Sequence, residues 1–330
     1  MNIKPLSEAP INKNTKVLVR CDLDVPIKNG IIEETFRLDS SLPTLKYIIE
    51  KGGLPIIAGH IGRPNGAFSS ELSTKQLLPY FNENLGEGNF ELLENLRFDP
   101  REEENDEEFA KELASKGQIY VNDSFATCHR NHASITGITK FLPSFAGIAL
   151  QREISNLKKV TKNPERPLSV IIGGSKLESK LPVIEKFQKT ADYIMLSSLL
   201  SANWSKEITQ NLILSYNRDT VSKDINEKTR QKFIEIIEKS KTVLWAGPLG
   251  MYEEEKYIAG TKAVAEKIAE LTQNNKLYSI IGGGDTVAAI NKLGLLNKFS
   301  FVSGGGSAML EFLSKGTLPG IEALEQCQKY

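Results

Sequence analysis

The sequence predicts an α/β protein built as two parallel-sheet lobes joined by a hinge helix. Apolar runs of strand length alternate with amphipathic helical stripes along nearly the whole chain. One helical stretch ending in a proline-rich break divides the chain near its middle. The two parts also differ in chemistry: all three histidines lie in the first 132 residues, and three glycine clusters lie in the second part.

The strand runs are Lys16–Leu23, Leu54–His60, Phe90–Asn95, Gln118–Asp123, Leu168–Gly174, Asp192–Ser198, Leu212–Tyr216, Thr242–Gly247, Leu277–Gly282 and Phe299–Gly304. Helical stripes fall between most of them. Ser41–Lys51 places Leu42, Leu45, Ile48 and Ile49 on one face. Thr229–Lys239 does so with Phe233, Ile236 and Ile237, and Thr261–Leu271 with Val264, Ile268 and Leu271. Such alternation reads as parallel α/β structure. The Glu-rich stretch Arg101–Glu108 reads as a helix start, with Asn105 or Asp106 as its cap. Leu150–Lys159, with Ile154 and Leu157 inward, precedes the break Lys162-Asn-Pro-Glu-Arg-Pro167. The expected division is an N-lobe over 1–149, a hinge helix and linker over 150–167, a C-lobe over 168–315 and a tail over 316–330 returning to the N-lobe. One large sheet with an incidental loop is the competing arrangement.

Lys plus Arg and Asp plus Glu both number 41, so the net charge is zero. That argues against nucleic acid as a partner. Most of these charges read as a solvated surface. No apolar run approaches the roughly 18 residues of a membrane span, and Met1–Glu8 has no apolar signal core. Cys21, Cys128 and Cys327 are odd in number and widely spaced, which fits reduced thiols in a cytoplasmic protein.

In open α/β sheets, ligands sit beyond the carboxyl ends of the strands. There the first strand runs into Arg20-Cys-Asp-Leu-Asp-Val-Pro26, with Arg37 after a short loop. The second ends in His60 and Arg63, the third in Asn95-Leu-Arg97, and the fourth in Asn122-Asp-Ser124 with Arg130 beyond. Forked guanidinium donors hold compact anions. Four strand ends with basic groups therefore read as an anion site, with Asp22 and Asp24 placed to accept from hydroxyls or to orient arginines. Any one arginine alone reads first as a surface or ion-pair residue. In the second part, glycines follow apolar runs at Ile171–Lys176, Ile280–Asp285 and Val302–Ser307. Glycine turns ahead of helices present bare N–H groups to phosphates. Lys176 and Lys180 are four apart at an expected helix start, share its face, and together suit an anion. Asp285 can hold Mg²⁺ through oxygen or water. Neither the Gly-x-Gly-x-x-Gly fingerprint nor Walker A spacing is present. A small-anion lobe and a nucleotide lobe together suggest phosphoryl transfer.

Several stretches in order resemble the phosphoglycerate kinase family over nearly the whole chain. They are Val19–Pro26, Phe36–Leu38 with Leu42–Thr44, Gly59–Pro64, Leu93–Phe98, Tyr120–Phe125, His129–Ser134, Gly173–Lys180, Thr242–Pro248, Gly282–Thr286, Gly304–Gly306 and Leu318–Gly320. The resemblance implies two Rossmann-like lobes working as a monomer. It implies reversible, Mg²⁺-dependent phosphoryl transfer from 1,3-bisphosphoglycerate to ADP, giving 3-phosphoglycerate and ATP. It implies Asp22, Leu23, Asp24, Arg37, His60, Ile61, Gly62, Arg63, Arg97 and Arg130 as the triose-phosphate site. On the nucleotide it implies Lys176, Lys180, Glu253 for the ribose, Gly282, Gly283, Gly284, Thr286, Gly304 and Gly305, with Asp285 on Mg²⁺. Arg37, Lys176 and Lys180 are the implied catalytic groups. Arg37 and Lys180 are expected to flank the moving phosphoryl as lobe closure excludes water. The acceptor carboxylate is already ionised at neutral pH, so positioning and electrostatics carry the reaction rather than a general base.

Departures from the family pattern cluster in the nucleotide lobe. The segment between Lys180 and Ala246 is several dozen residues shorter. Ser197-Ser198-Leu199 replaces a glycine-rich turn, Asn226 stands for Gly, Ala246 for Asn and, in the first lobe, Asp24 for Asn. Side chains at Ser197, Ser198 and Asn226 are expected to push a base ring away from the backbone, unless Leu199, Leu200 or Trp204 refills the pocket. Two other functional readings remain. A non-catalytic triose-phosphate or nucleotide binder would not need paired groups in both lobes, and a nicotinamide-dependent dehydrogenase would carry the dinucleotide fingerprint.

Overall fold

The computed structural model describes residues 2–217 and 222–327. The chain divides into two units, Met1–Ile154 with Thr317–Tyr330, and Ser155–Gly316. The first unit begins with β1 (Lys16–Arg20), β2 (Ile27–Lys28), β3 (Ile31–Ile32), α1 (Phe36–Glu50), β4 (Leu54–Ala58) and α2 (Leu78–Leu85). It continues with β5 (Glu91–Leu92), α3 (Arg101–Glu104), α4 (Glu107–Ala114), β6 (Ile119–Asn122) and β7 (Ser144–Ala146). One sheet has the order β5-β4-β1-β6-β7, with every pair parallel. Strands in such a sheet are covered on both faces, so they read as continuous apolar runs. Val17, Val19, Ile57 and Val121 are fully buried among Leu45 and Ile48 of α1 and Phe81 of α2.

α5 (Ile148–Thr161) leads on to β8 (Leu168–Ile172), α6 (Leu181–Gln188), β9 (Tyr193–Leu196), α7 (Ser198–Ala202), β10 (Leu212–Ile213) and α8 (Glu227–Lys239). Then come β11 (Thr242–Ala246), α9 (Ala259–Gln273), β12 (Tyr278–Gly282), α10 (Gly284–Lys292), β13 (Phe301–Ser303) and α11 (Ser307–Lys315). The parallel sheet here has the order β10-β9-β8-β11-β12-β13. Trp245 on β11 is fully buried among Phe233, Ile237, Val264 and Ile268, and its indole N–H donates to Gly247 O at 2.7 Å. α12 (Pro319–Gln326) belongs to the first unit, where Gly320 N donates to Cys128 O at 2.9 Å. Both sheets wind outward in two directions from a central strand. The winding reverses between β1 and β6 in one and between β8 and β11 in the other, which opens a crevice at those carboxyl ends.

Several local expectations need correction. α1 starts five residues before the expected Ser41, so Arg37 lies in its first turn. The Glu-rich stretch forms two short helices. Asn105 ends α3 in a left-handed conformation, and Asp106 caps α4 by accepting from Phe109 N at 2.8 Å. Lys176 and Lys180 do not share a helical face, because α6 begins only at Leu181. β7 and the β2–β3 hairpin are additions, the latter turning on Asn29-Gly30 with φ of 52° and 75°. That dipeptide is the favoured hairpin signal. Cys21, Cys128 and Cys327 are free thiols, and no helix of the described residues is long and apolar enough to cross a membrane.

Asp123, just after β6, is buried and accepts from Ala149 N at 2.8 Å and Leu150 N at 3.3 Å in the first turn of α5. Burial pushes its carboxyl up to about 7. The native state therefore keeps a proton that the unfolded carboxyl releases near pH 4, so this contribution to stability is lost as pH rises through about 7. Compared with Asp123→Asn, the wild type should lose up to about 1.4 kcal/mol of unfolding free energy per pH unit across that window. Parallel pH profiles for the two proteins in urea unfolding would show that Asp123 titrates as an ordinary carboxyl.

Candidate active site

At the β1/β6 crevice, a buried guanidinium organises the rim. Arg20, the last residue of β1, is only 1% exposed. Its Nε donates to Ser134 Oγ at 3.0 Å, an Nη donates to the Cys21 carbonyl, and Nη2 lies 3.0 Å from His60 Nδ1. A guanidinium has no acceptor, so His60 Nδ1 accepts and the neutral ring carries its proton on Nε2. Burial, then the charges of Arg20 and Arg97, hold the His60 pKa well below its ordinary value. His60 is a neutral donor at neutral pH.

Asp22 is buried and receives Arg37 Nη1 at 3.3 Å on both carboxylate oxygens. Burial pushes the Asp22 carboxyl up while Arg37 pulls it back, and Asp22 in turn raises Arg37. Asp24 accepts from Gly62 N at 2.8 Å, and its other oxygen lies 3.9 Å from Arg37 Nη1. A carboxylate there can only accept. Arg97 is buried, donates to Gly62 O at 3.0 Å and pairs with Glu103 at 3.1 Å. Burial lowers its pKa. Asn95 braces the same loop, donating to Ile61 O at 2.8 Å. Leu23 and Ile61 are buried packing residues, whereas Arg63 and Arg130 are exposed. The rim therefore has two arginines locked inside, Arg37 held by carboxylates, and two reaching solvent.

At the β8/β11 crevice, backbone replaces side chains. Gly173 N donates to Ala246 O at 2.8 Å, and Gly174 N to Pro248 O at 2.9 Å. A Cβ on Gly173 would meet Pro248 O at 2.1 Å, and one on Gly247, at φ 94°, would meet Gly173 O at 2.2 Å. Only glycine permits that approach. Gly282 ends β12, Gly283 N-caps α10 at φ 96°, and Asp285 sits exposed in that helix's first turn. Thr286 is buried and its Oγ1 accepts from Gly247 N at 2.6 Å, tying α10 to the end of β11. Gly304 and Gly305 lead to the N-cap Gly306 of α11. Lys176 is exposed; Lys180 is half-buried, with burial lowering its pKa and nearby Asp285 raising it. A cleft of about 130 Å³ is lined by Gly174, Ser197, Leu199, Pro248, Met251 and Glu253, among others, and reaches Asp285.

The expected crowding of the base pocket is only partly found. Ser197 and Leu199 line the cleft. Ser198 is buried and bonds to Asp224 O at 3.0 Å and Ser215 Oγ at 3.1 Å. Asn226 N-caps α8, accepting from Thr229 N at 3.0 Å, and Leu200 is fully buried. Sequence reasoning also missed Arg20 as the organiser of His60 and Glu102 as a buried acid. Glu102 read as one of several acidic residues at a helix start, and no local signal distinguishes it.

A family model described as phosphoglycerate kinase matches residues 8–91, 81–212 and 199–316. Phosphoglycerate kinase of Dictyoglomus turgidum (strain DSM 6724 / Z-1310) is 36% identical over 384 positions, covering 95% of this chain and 96% of the relative. The cytosolic phosphoglycerate kinase of Triticum aestivum is 37% identical over 399 positions, covering 98% of each. The structure of phosphoglycerate kinase from Coxiella burnetii superposes with a TM-score of 0.84 at 29% identity, over 98% of this chain and 99% of that one. That from Pyrococcus horikoshii OT3 shares the fold, with a TM-score of 0.85 at 24% identity over 99% and 100%.

The capping role of Asn226 makes a direct test. Asn226→Ala should cost about 1 kcal/mol of stability and Asn226→Gly a few tenths. Neither should change ATP affinity by more than about twofold, roughly 0.4 kcal/mol. A tenfold gain for the glycine variant in calorimetric titration would place the side chain in the base pocket instead.

Proposed function

The chain belongs to the phosphoglycerate kinase family, and we propose that it carries out reversible Mg²⁺-dependent phosphoryl transfer between 1,3-bisphosphoglycerate and ADP. The observation that supports this most is the division of labour between the units. One has a rim of arginines with a neutral histidine, and the other has glycine-built helix starts beside Lys180 and Asp285.

In the proposed mechanism, Arg63, Arg97 and Arg130 hold the triose phosphate, and His60 donates its Nε2 proton to a substrate oxygen. Arg37 meets charge on the moving group, for which its remaining N–H donors are suited. Lys176 and Lys180, with the N–H groups at Gly283–Asp285 and Gly304–Gly306, hold nucleotide phosphates. Glu253, exposed on the cleft, takes the ribose hydroxyls. Asp285 would hold Mg²⁺, which supplies charge neutralisation on the phosphates when bound. A hard oxygen donor fits that ion. Mg²⁺ is commonly held by one or two carboxylates plus substrate phosphates, so the absence of any group of three acidic, His or Cys ligands among the described residues is no obstacle. No side chain needs to remove a proton.

An assay with ATP, Mg²⁺ and 3-phosphoglycerate, coupled to reduction of the acyl phosphate, should show turnover that stops with chelator. Binding of both ligands without turnover would favour the non-catalytic reading. Within the active protein, Arg37→Ala should lower kcat about a hundredfold, roughly 3 kcal/mol, with little change in 3-phosphoglycerate binding. Arg63→Ala should chiefly raise KM. The reverse pattern would exchange their roles.

The base pocket generates the second prediction. The cleft is smaller than the roughly 300–1,000 Å³ that usually encloses a small ligand, so a base there keeps much of its surface in water. ATP and GTP should therefore compete within about tenfold, a gap of roughly 1.4 kcal/mol. A preference for ATP beyond about a hundredfold, roughly 2.7 kcal/mol, would mean that Leu199 and its neighbours have rebuilt an adenine site.

A further inference from the structure

We propose that Glu102 is a positioning residue of the triose site, acting through Ser134 and Arg20 on His60. Glu102 lies in α3 with no exposure, although its neighbours Glu103 and Glu104 face solvent. Both of its oxygens engage Ser134: the backbone N donates to Oε2 at 3.0 Å and the hydroxyl donates to Oε1 at 2.5 Å. That donation fixes the hydroxyl, whose lone pairs then face Arg20 Nε at 3.0 Å. Tyr120 locks the same residue from the sheet side, donating to Ser134 O at 2.7 Å. The chain of contacts therefore runs from carboxylate to hydroxyl to guanidinium to imidazole, ending at His60 Nδ1.

The direction of each bond is set by the one before it. The hydrogen-bond partners of Arg20 are a hydroxyl, a carbonyl and an imidazole, all neutral. A buried guanidinium needs a counter-charge as well as acceptors. Glu102 supplies it through a single intervening hydroxyl, with His132 Nδ1 at 3.7 Å on its other side. The Glu102 carboxyl is held ionised: burial raises its pKa, but the donors from His132 and Ser134 and the charge of Arg20 outweigh this and lower it. Without that charge, Arg20 is drawn toward the carboxylate of Asp22, which already feels it. His60 then loses the donor that keeps Nδ1 unprotonated, and its Nε2 proton is no longer fixed toward the substrate.

This inference rests on the proposed triose site, and the test separates the two. In the full-length protein, ¹⁵N NMR of the histidine rings should show His60 as the Nε2–H tautomer at pH 7. Glu102→Gln keeps the shape and an acceptor while removing the charge. It should mix the His60 tautomers and raise KM for 3-phosphoglycerate at least about tenfold, with KM for ATP within about twofold. Ser134→Ala, the second variant should Glu102→Gln fail to fold, should do the same. Ser134→Thr retains the hydroxyl and should restore the wild-type tautomer. If Glu102→Gln and Ser134→Ala lower Tm but leave the His60 ring signals and KM for 3-phosphoglycerate unchanged, Glu102 serves only to hold α3 and the proposal is overturned. Absence of turnover in the wild type would sink the kinase reading, while the tautomer measurement would still decide the role of Glu102.

Discussion

A guanidinium buried to 1% exposure at the end of a central strand constrains everything near it. Removing such a charge from water costs several kcal/mol unless hydrogen bonds and a counter-charge offset it. Arg20 obtains these from the neighbouring Cys21 carbonyl and from segments far apart in sequence: His60 after β4, Ser134, and Glu102 behind Ser134. Each segment is placed by the parallel sheet, and each in turn fixes a piece of the rim. The first unit therefore reads its ligand with side chains whose orientation is decided by a polar core beneath them.

The second unit solves the same topological problem differently. Its crevice is closed by backbone against backbone at Gly173 and Gly247, an approach that any Cβ would block. Phosphate binding by helix-start N–H groups depends on backbone path, and little on what lies at the far edge of the sheet. That far edge holds the segment that the sequence resemblance implies is shortened. There Ser198, Ser201, Ser215 and Thr229 form a buried hydroxyl network around short β10 and α7. Small polar side chains that satisfy one another can line such a core without leaving unpaired groups. The trimming is therefore compatible with an intact phosphate rim.

The parallel strands and the two rims were legible because buried parallel strands are apolar throughout and ligand groups follow their carboxyl ends. What could not be read depends on partners distant in sequence. Glu102 looks like Glu103 and Glu104 until Ser134 and His132 are brought against it. Asn226 looks like an intruder in a glycine position until α8 begins beside it and needs a cap. The Lys176–Lys180 spacing fits a helix, but Pro182, in the first turn of α6, suits a helix start there, and residues 175–180 stay outside it. Asn29-Gly30, by contrast, carries a hairpin signal in the sequence itself, although each arm is only two residues long.

Arg37 draws these points together. It is held by Asp22 on two contacts and approached by Asp24. A bare guanidinium on an open rim would bind any phosphate. One partly neutralised by two carboxylates has less to offer a free anion, because an incoming ligand must compete with Asp22 and Asp24 for the same charge. Exposed Arg63 and Arg130 have no carboxylate partner among the described residues. The order of events that follows is physical. In the proposed mechanism the exposed arginines capture and anchor the anion, and Arg37 is left to meet charge on the moving group. The charge that grows on a phosphoryl in transfer is what can outbid the resident carboxylates. The Asp24 carboxylate, 3.9 Å from Arg37, adds to this restraint, which in the proposed mechanism shifts the contribution of Arg37 from binding toward the reacting state.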